Sequence, residues 1–421
     1  MWNLLDDMAI INPNYDKLVA GYLFPEINRR VKAFTSANEG VKIYRLGIGN
    51  TTEPLRPKVI QGLREGVDKL ADVKTYTGYG DEQGDTRLRN AIAKHYASGN
   101  VSIDPSEVFV SDGAKSDVAN IQSIFDVNNT VAVQDPAYPV YVDTNVIAGR
   151  TGHFDQKTNQ YTGLIYMPCN EENGFIPNVN DLPAGVGKAD LIYLCSPNNP
   201  TGAVMNRKSL ESFVGYAIEH KSVILFDAAY NWYINDSTLP KSIYEIENAK
   251  KCAMEFNSFS KKDGFTGVRL GWTIVPKELV AEDAPEGKLN AMWNGRQTRF
   301  FNGASNIAQE GGLAALSEQG MLESNVLVDF YMENARIIRN GLRQKGIQTF
   351  GGDNAPYIWM KNPNGMDSWK FFDKMLNEAN VVTTPGVGFG PEGQGFTRLS
   401  AFGHRENVEA AMESIKQKLQ I

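Results

Sequence analysis

The sequence predicts an α/β protein, with a mostly parallel sheet between helices and a smaller α+β unit after it. Three observations carry this. The chain has 421 residues, more than one ordinary core takes up. Between about 85 and 290, stretches with helical apolar spacing alternate with short apolar runs that end in turn residues. Such alternation implies crossover connections and parallel strands covered on both faces. From about 303 the pattern changes to long helical material with Gly interruptions, followed by extended and helical segments.

The opening residues, MWNLLDDMAIINPNY, carry acids where a secretory leader would carry positive charge, so no targeting segment is expected. YLFPEINRRVKAF, around Pro25, is amphipathic and has no sheet of its own. It is expected to dock on the second unit or on a neighbouring subunit. The apolar runs that follow are VFVSDG (108–113), TVAVQDP (130–136), LIYLCSP (191–197), SVILFDAAY (222–230), CAMEFNSFS (252–260) and LGWTIVP (270–276). Functional residues of such a sheet gather beyond its carboxyl edge. Asp112, Asp135, Asn199, Asp227 and Ser258 all fall there. Past residue 303 come helices, Gly351-Gly352, an extended YIWMK, a helix near 367–379 and a closing strand and helix from about 396. The expected division is 1–45 as an N-terminal arm, 46–302 as the large unit and 303–421 as the small one. We find no internal repeat.

Charge and composition exclude several classes. Lys+Arg 42 against Asp+Glu 49 gives a net charge of −7, and the basic residues are scattered, which argues against a nucleic-acid partner. The longest apolar runs fall far below a membrane span. Cys169, Cys195 and Cys252 lie far apart, and the odd count argues for buried reduced thiols in a cytoplasmic protein over a disulfide framework.

The stretch NSFSKKDGFTGVRLGW (257–272) sets two lysines side by side. A lysine pair in a turn is ordinarily solvated. The surrounding strand ends nevertheless hold what an anionic aromatic aldehyde needs. Asp227 closes an apolar strand, where a carboxylate can keep a ring nitrogen protonated; alone, it fits a helix N-cap as well. Tyr230 and Asn199, in the turn SPNNPTG, can reach a ring oxygen; alone they are a packing tyrosine and a turn residue. In DGAK (112–115) the amides of Gly113, Ala114 and Lys115 open a helix and can face a phosphate. Ser258 adds a hydroxyl, and Arg269, eight residues after Lys261, adds a planar fork.

Together, S-F-S-K-x-x-G-x-x-G-x-R-x-G, the N-P-T-G turn and the D-x-x-Y strand end resemble the fold-type I pyridoxal-phosphate aminotransferases, over nearly the whole chain. The resemblance implies a large domain with a mostly parallel seven-stranded sheet, a smaller α+β domain and pyridoxal 5'-phosphate as cofactor. Lys261 satisfies the family's offsets from the serines and the arginine. Lys262 satisfies neither and is expected to be a solvated surface lysine.

A second set of strings, among them AGYLFPEINRRV (20–31), LGIGNTTEPL (46–55), TGYGDEQG (77–84), FNGASNIAQEGGLA (301–314) and GFTRLSAFGHRE (395–406), is similar to the LL-diaminopimelate aminotransferases. That family interconverts LL-2,6-diaminopimelate plus 2-oxoglutarate with tetrahydrodipicolinate plus glutamate. The resemblance implies Lys261 as the Schiff-base lysine, Asp227 on the ring nitrogen, Tyr230 and Asn199 on the ring oxygen, and Tyr138 stacked on the ring. Ala114, Lys115, Ser258 and Arg269 would form the phosphate site. Arg398 would clamp the substrate α-carboxylate, with Asn354 assisting and Gly49, Lys115, Tyr138 and Asn199 also on the substrate. Tyr22, Tyr79, Glu82 and Asn302 match residues that a partner subunit contributes across a homodimer interface, Asn302 toward both cofactor and substrate. Diaminopimelate carries an amino acid group at both ends, so Glu82 would meet the distal ammonium. Lys262-Asp263, Asn50 and Asn231-Trp232 depart from the family's usual residues. Aminotransferases of aspartate, alanine or aromatic amino acids, and a lyase on the same scaffold, remain open from the residues. A plastid stroma is the alternative to the cytoplasm.

Overall fold

The computed structural model describes residues 9–19, 23–183 and 187–421. A seven-stranded sheet forms from β1 (Val108–Ser111), β2 (Val131–Asp135), β3 (Leu164–Pro168), β4 (Leu191–Cys195), β5 (Val223–Asp227), β6 (Ala253–Ser258) and β7 (Gly271–Ile274). Their spatial order is β1-β7-β6-β5-β4-β2-β3. Only β7 runs antiparallel to its neighbours, β1 and β6.

The central strands are apolar throughout because both faces are covered. Successive side chains alternate between two cores. Ile224 and Phe226 pack in one with Ile192, Leu194 and Trp272; Val223 and Leu225 pack in the other with Leu191, Tyr193 and Phe256. The first core is closed by α2 (Pro57–Ala71), α3 (Thr86–Ser98) and α6 (Arg207–His220), through Val59, Leu88, Ile92, Leu210 and Phe213. The second is closed by α4 (Ala114–Asn120), α5 (Val140–Ile147) and α7 (Lys288–Phe300), through Val118, Tyr141, Leu289 and Trp293. Each fully buried Leu, Ile or Phe contributes roughly 1.5–3 kcal/mol. Helix starts are marked by side-chain caps: Asp85 accepts from the Arg87 amide before α3, and Asn206 from the Ser209 amide before α6.

The strand β3 is absent from the runs that the sequence showed. It is an edge strand whose side chains are mostly half-buried, so LIYMP lacks the fully apolar signature of the centre. Cys252 lies just before β6, whose run starts at Ala253.

After α7 comes α8 (Asn306–Leu316), in the stretch expected to belong to the small unit. Its Ala308 and Ala315 lie in the first core beside α2 and α3. The long α9 (Glu318–Gln344) then leads to a four-stranded antiparallel sheet of β8 (Thr349–Gly351), β9 (Tyr357–Lys361), β10 (Thr384–Pro385) and β11 (Phe396–Ser400), ordered β8-β9-β11-β10. Ile338 and Leu342 of α9 pack on it with α10 (Ser368–Ala379) and α11 (Arg405–Lys418), through Phe371, Met375, Val408 and Ile415. Leu23, Ile27 and Val31 of α1 (Leu23–Ala37) pack with Phe372 and Leu376 of α10. Tyr44 and Arg45 pair in parallel with Val381 and Val382.

No helix among the described residues is long and apolar enough to cross a membrane. The three cysteines are buried and unbonded.

Candidate active site

The carboxyl edge of the large sheet and the start of β9 enclose a cavity of about 390 Å³. Gly49, Ala114, Lys115, Tyr138, Asn199, Asp227, Tyr230, Ser258, Lys261, Arg269 and Arg398 all line it. Ala114, Asn199, Asp227, Ser258 and Lys261 converge because each sits at or just after the carboxyl end of a strand of the large sheet, and Arg398 enters from β11 (Phe396–Ser400) of the small sheet.

Asp227 is the last residue of β5 and is 8% exposed. One carboxylate oxygen accepts from the Tyr141 hydroxyl at 2.6 Å and the other from the Ala229 amide at 3.0 Å. Burial pushes its carboxyl up, while Tyr141, the Ala229 amide and the Lys261 ammonium pull it back. A buried carboxylate held by a neutral phenol and an amide is suited to a cation arriving from the cavity. Tyr141 itself escaped the sequence reading, although it lies three residues after Tyr138 at the start of α5; the two rings meet edge to face at 5.8 Å.

Lys261 lies in the turn after β6. Its ammonium donates to the Gly49 carbonyl and stands 5.5 Å from the Phe402 ring. Burial, with Arg398 and Arg269 nearby, pulls it down from 10.5 to about 8, against the opposing pull of Asp227. A lysine so placed is a ready nucleophile and base near neutral pH. The Tyr233 hydroxyl holds the Lys261 carbonyl at 3.0 Å.

At the other end, Arg269 has φ of 71°, a left-handed conformation that an arginine seldom takes. Its guanidinium donates to Ser260 at 3.3 Å, and Ser258 receives the Ser260 amide at 3.0 Å. Gly113, φ 127°, stands against it: a Cβ there would run into the guanidinium. Hydroxyls, a fork and open backbone form a cradle with the donor chemistry of a phosphate site. The carboxylate, the lysine and this cradle fit pyridoxal phosphate from ring nitrogen to phosphate.

Arg398, on β11, is 2% exposed. Its guanidinium donates to Asn199 Oδ1 and to the Gly47 carbonyl, both at 2.7 Å, and lies 4.5 Å from the Tyr357 ring. Its Nε has no hydrogen-bond partner among the described residues. Asn199 is left with its NH₂ to offer a ligand.

Other expected residues lie elsewhere. Asn354 Oδ1 accepts the amides of Asn235 and Asp236, at 2.9 and 3.0 Å, so it fastens a loop and does not line the cavity. Tyr79 is 85% exposed, and Glu82 and Asn302 are outside the cavity too. The 79–82 and 302 segments do adjoin, since a Cβ on Gly303 would stand 2.9 Å from the Asp81 carbonyl. Tyr22 lies outside the described residues.

Lys262 is a correction: it is not a surface lysine but fully buried. Its ammonium stands 3.7 Å from the Trp232 ring and donates to Met321 Sδ at 2.7 Å. His95 stacks on the same indole at 4.3 Å, and burial with Lys262 pulls that imidazole down to about 4. The next residue, Asp263, receives the Ser324 hydroxyl at 2.6 Å. The turn thus sends Lys261 into the cavity and Lys262 to the opposite side, where Trp232 houses it.

The family model for aminotransferase class I and II matches residues 41–415. Among solved structures, L,L-diaminopimelate aminotransferase from Chlamydomonas reinhardtii is 47% identical, with a TM-score of 0.90, over 97% of this chain and 98% of that one. BacF from Bacillus subtilis is 27% identical at TM-score 0.82, over 97% and 98%. An aromatic aminotransferase from Pyrococcus horikoshii is 26% identical at TM-score 0.77, over 93% and 98%. Joined to the cavity's lysine, carboxylate and phosphate cradle, these matches place the chain in the class I and II aminotransferases, as a fold-type I pyridoxal-phosphate-dependent transaminase.

Proposed function

We propose that the enzyme interconverts LL-2,6-diaminopimelate and 2-oxoglutarate with tetrahydrodipicolinate and glutamate. The observation that carries this is the 47% identity over 97% of the chain to the Chlamydomonas enzyme, against 26% for the aromatic aminotransferase and 27% for BacF.

When bound, pyridoxal phosphate supplies an electron sink for the pair left as the substrate α-proton departs, and carries the amino group from one substrate to the next. Arg398 takes the α-carboxylate in a two-pronged grip and turns the α-carbon toward Lys261. Lys261 Nζ, whose proton burial and the nearby arginines loosen, accepts the α-proton and later delivers it back on the same face. Asp227 keeps the ring nitrogen protonated, with Tyr141 holding its carboxylate in place. Tyr230 and Asn199 donate to the ring oxygen, and Ser258, Arg269 and the amides of Ala114 and Lys115 hold the phosphate. Tyr138 covers the ring.

The proposal includes a homodimer in which Tyr22, Tyr79, Glu82 and Asn302 of one copy complete the other's site, with Glu82 on the distal ammonium. Its support is the exposed apolar surface beside those segments: Val73 is 92% exposed, Phe300 76% and Tyr76 63%. The division at 1–45, 46–302 and 303–421 is proposed as arm, large and small domains, with the start of the small domain moved to after α8, whose Ala308 and Ala315 pack in the first core of the large one. The cytoplasm is proposed as the compartment, in keeping with three buried, unbonded thiols.

The test is a comparison of amino donors with 2-oxoglutarate as acceptor. LL-diaminopimelate should exceed aspartate, alanine and phenylalanine in kcat/KM by at least about tenfold, or roughly 1.4 kcal/mol of transition-state binding. Rapid reaction of one of those three with none of diaminopimelate would reject the substrate; release of ammonia or pyruvate without acceptor would indicate a lyase.

A further inference from the structure

We infer that Tyr357 is a positioning residue for transamination, acting through the hydroxyl of Tyr230. Tyr357 begins β9 and is 1% exposed, with its ring on the cavity wall. Its hydroxyl oxygen is 2.8 Å from that of Tyr230, and the rings meet edge to face at 5.1 Å. The same ring carries the Arg398 guanidinium at 4.5 Å. A Cβ on Gly49, whose carbonyl receives Lys261, would come within 2.9 Å of the Tyr357 hydroxyl. One buried phenol therefore adjoins the donor to the ring oxygen, the carboxylate clamp and the lysine's anchor.

The direction of the Tyr230–Tyr357 bond follows from hydrogen counting. The inference rests on the role proposed above for Tyr230. A phenol has one hydrogen to give. If Tyr230 gives its own to the ring oxygen, its oxygen is left to accept, and Tyr357 must be the donor. Donation into Tyr230 polarises its O–H and strengthens the bond it makes in turn. It also fixes the Tyr230 rotor, for which Tyr357 is the hydroxyl partner found among the described residues. Arg398 from β11, Cys195 from β4 and Asp227 from β5 are the titratable groups facing the pair.

A stronger donor on the ring oxygen weakens that oxygen's hold on the proton it shares with the lysine nitrogen. Weakening the donor moves the pH midpoint of the cofactor's visible band upward. The experiment titrates that band in the cofactor-loaded wild type, Tyr230→Phe, Tyr357→Phe and the double variant, with kcat measured alongside. Tyr357→Phe keeps the buried ring and removes one oxygen, so the fold should persist. Tyr230→Phe should raise the midpoint. Tyr357→Phe should raise it in the same direction by a smaller amount, on the order of half a pH unit, and lower kcat about fivefold. The double variant should match Tyr230→Phe alone, because the second hydroxyl acts through the first. An unmoved midpoint in Tyr357→Phe, or an additive shift in the double variant, overturns the inference. If Tyr230→Phe itself leaves the midpoint unchanged while the band is present, the role proposed for Tyr230 fails, and this inference fails with it.

Discussion

The Tyr141 hydroxyl stands 2.6 Å from a carboxylate oxygen of Asp227, at the sheet edge, where both groups are buried. That bond supports the charged form of an acid that burial disfavours. Asp227→Asn should lower kcat about 10²–10³-fold, the usual loss when a preorganised charge is taken from a reacting centre. Tyr141→Phe should lower it about tenfold, the worth of one hydrogen bond to a charged group. Equal losses in both variants, seen in single-turnover kinetics, would contradict this division of roles.

Lys261 gives a stability effect of definite sign. Its folded value of about 8 lies below the ordinary 10.5, so the folded chain holds this proton more weakly than the unfolded chain. Stability is therefore lost as pH falls from 10.5 through 8, and the loss is complete below that. Without cofactor, Lys261→Met should be more stable than wild type at pH 7. With an allowance for the side chain's partial exposure, the gain is about 1–2 kcal/mol. The gap should close toward pH 10.5 in denaturant melts. A gap independent of pH would assign the effect to packing.

Arg398 grips the clamp position with both terminal nitrogens already engaged by Asn199 and Gly47. Arg398→Lys keeps a charge but loses the planar fork. KM for every amino and keto acid should rise about 10–100-fold, equivalent to roughly 1.4–2.7 kcal/mol, while the cofactor's visible band remains. Loss of the band would show that the arginine holds the cofactor instead.

Lys262 should matter to stability and little to chemistry. Its ammonium is buried against Trp232 and Met321, and its charge eases the burial of Asp263. Lys262→Met should destabilise the protein by about 1–3 kcal/mol, because Asp263 is left buried without that charge. Lys262→Met with Asp263→Asn should recover much of the loss. Turnover per folded molecule should stay within about twofold of wild type, since nothing in the cavity is removed. A large drop in turnover would place Lys262 in the reaction.

Glu255 lies in the centre of the large sheet, bonded by the hydroxyls of Tyr96 at 2.5 Å and Ser242 at 2.6 Å. Burial pushes its carboxyl from 4.5 to about 7. The folded chain holds this proton more tightly, so the stability it contributes is full below pH 4.5 and lost as pH rises through 7. Glu255→Gln should gain on the wild type in melting temperature between pH 5 and pH 8. No change in the difference across that range would contradict the assignment.

Much of this arrangement is legible in the sequence, for identifiable reasons. Asp227, Ser258 and Asn199 are found because a buried parallel strand ends abruptly in polar residues, and the carboxyl edge of such a sheet is where ligands sit. Lys261 and Arg269 are found through a fixed spacing in a single turn. The strand β3 is missed because an edge strand shares neither the apolar run nor a clean alternation. Tyr141 and Tyr357 read as core aromatics, and their hydroxyl partners lie 86 and 127 residues away. No local pattern encodes such a pairing. Lys262 fails for the opposite reason, because a charged residue defaults to solvent until a tertiary partner such as Trp232 is known. Asn354 matches a position in a motif, but its side chain is used by the neighbouring loop.

The most direct test of the account asks which of two adjacent lysines carries the cofactor. The pyridoxal-phosphate-loaded protein is reduced with borohydride, digested, and the modified peptide mapped by mass spectrometry. The expected result is a phosphopyridoxyl group on Lys261 with Lys262 unmodified, and no such adduct in Lys261→Ala. Modification of Lys262, or of a lysine outside the cavity, would contradict the central claim.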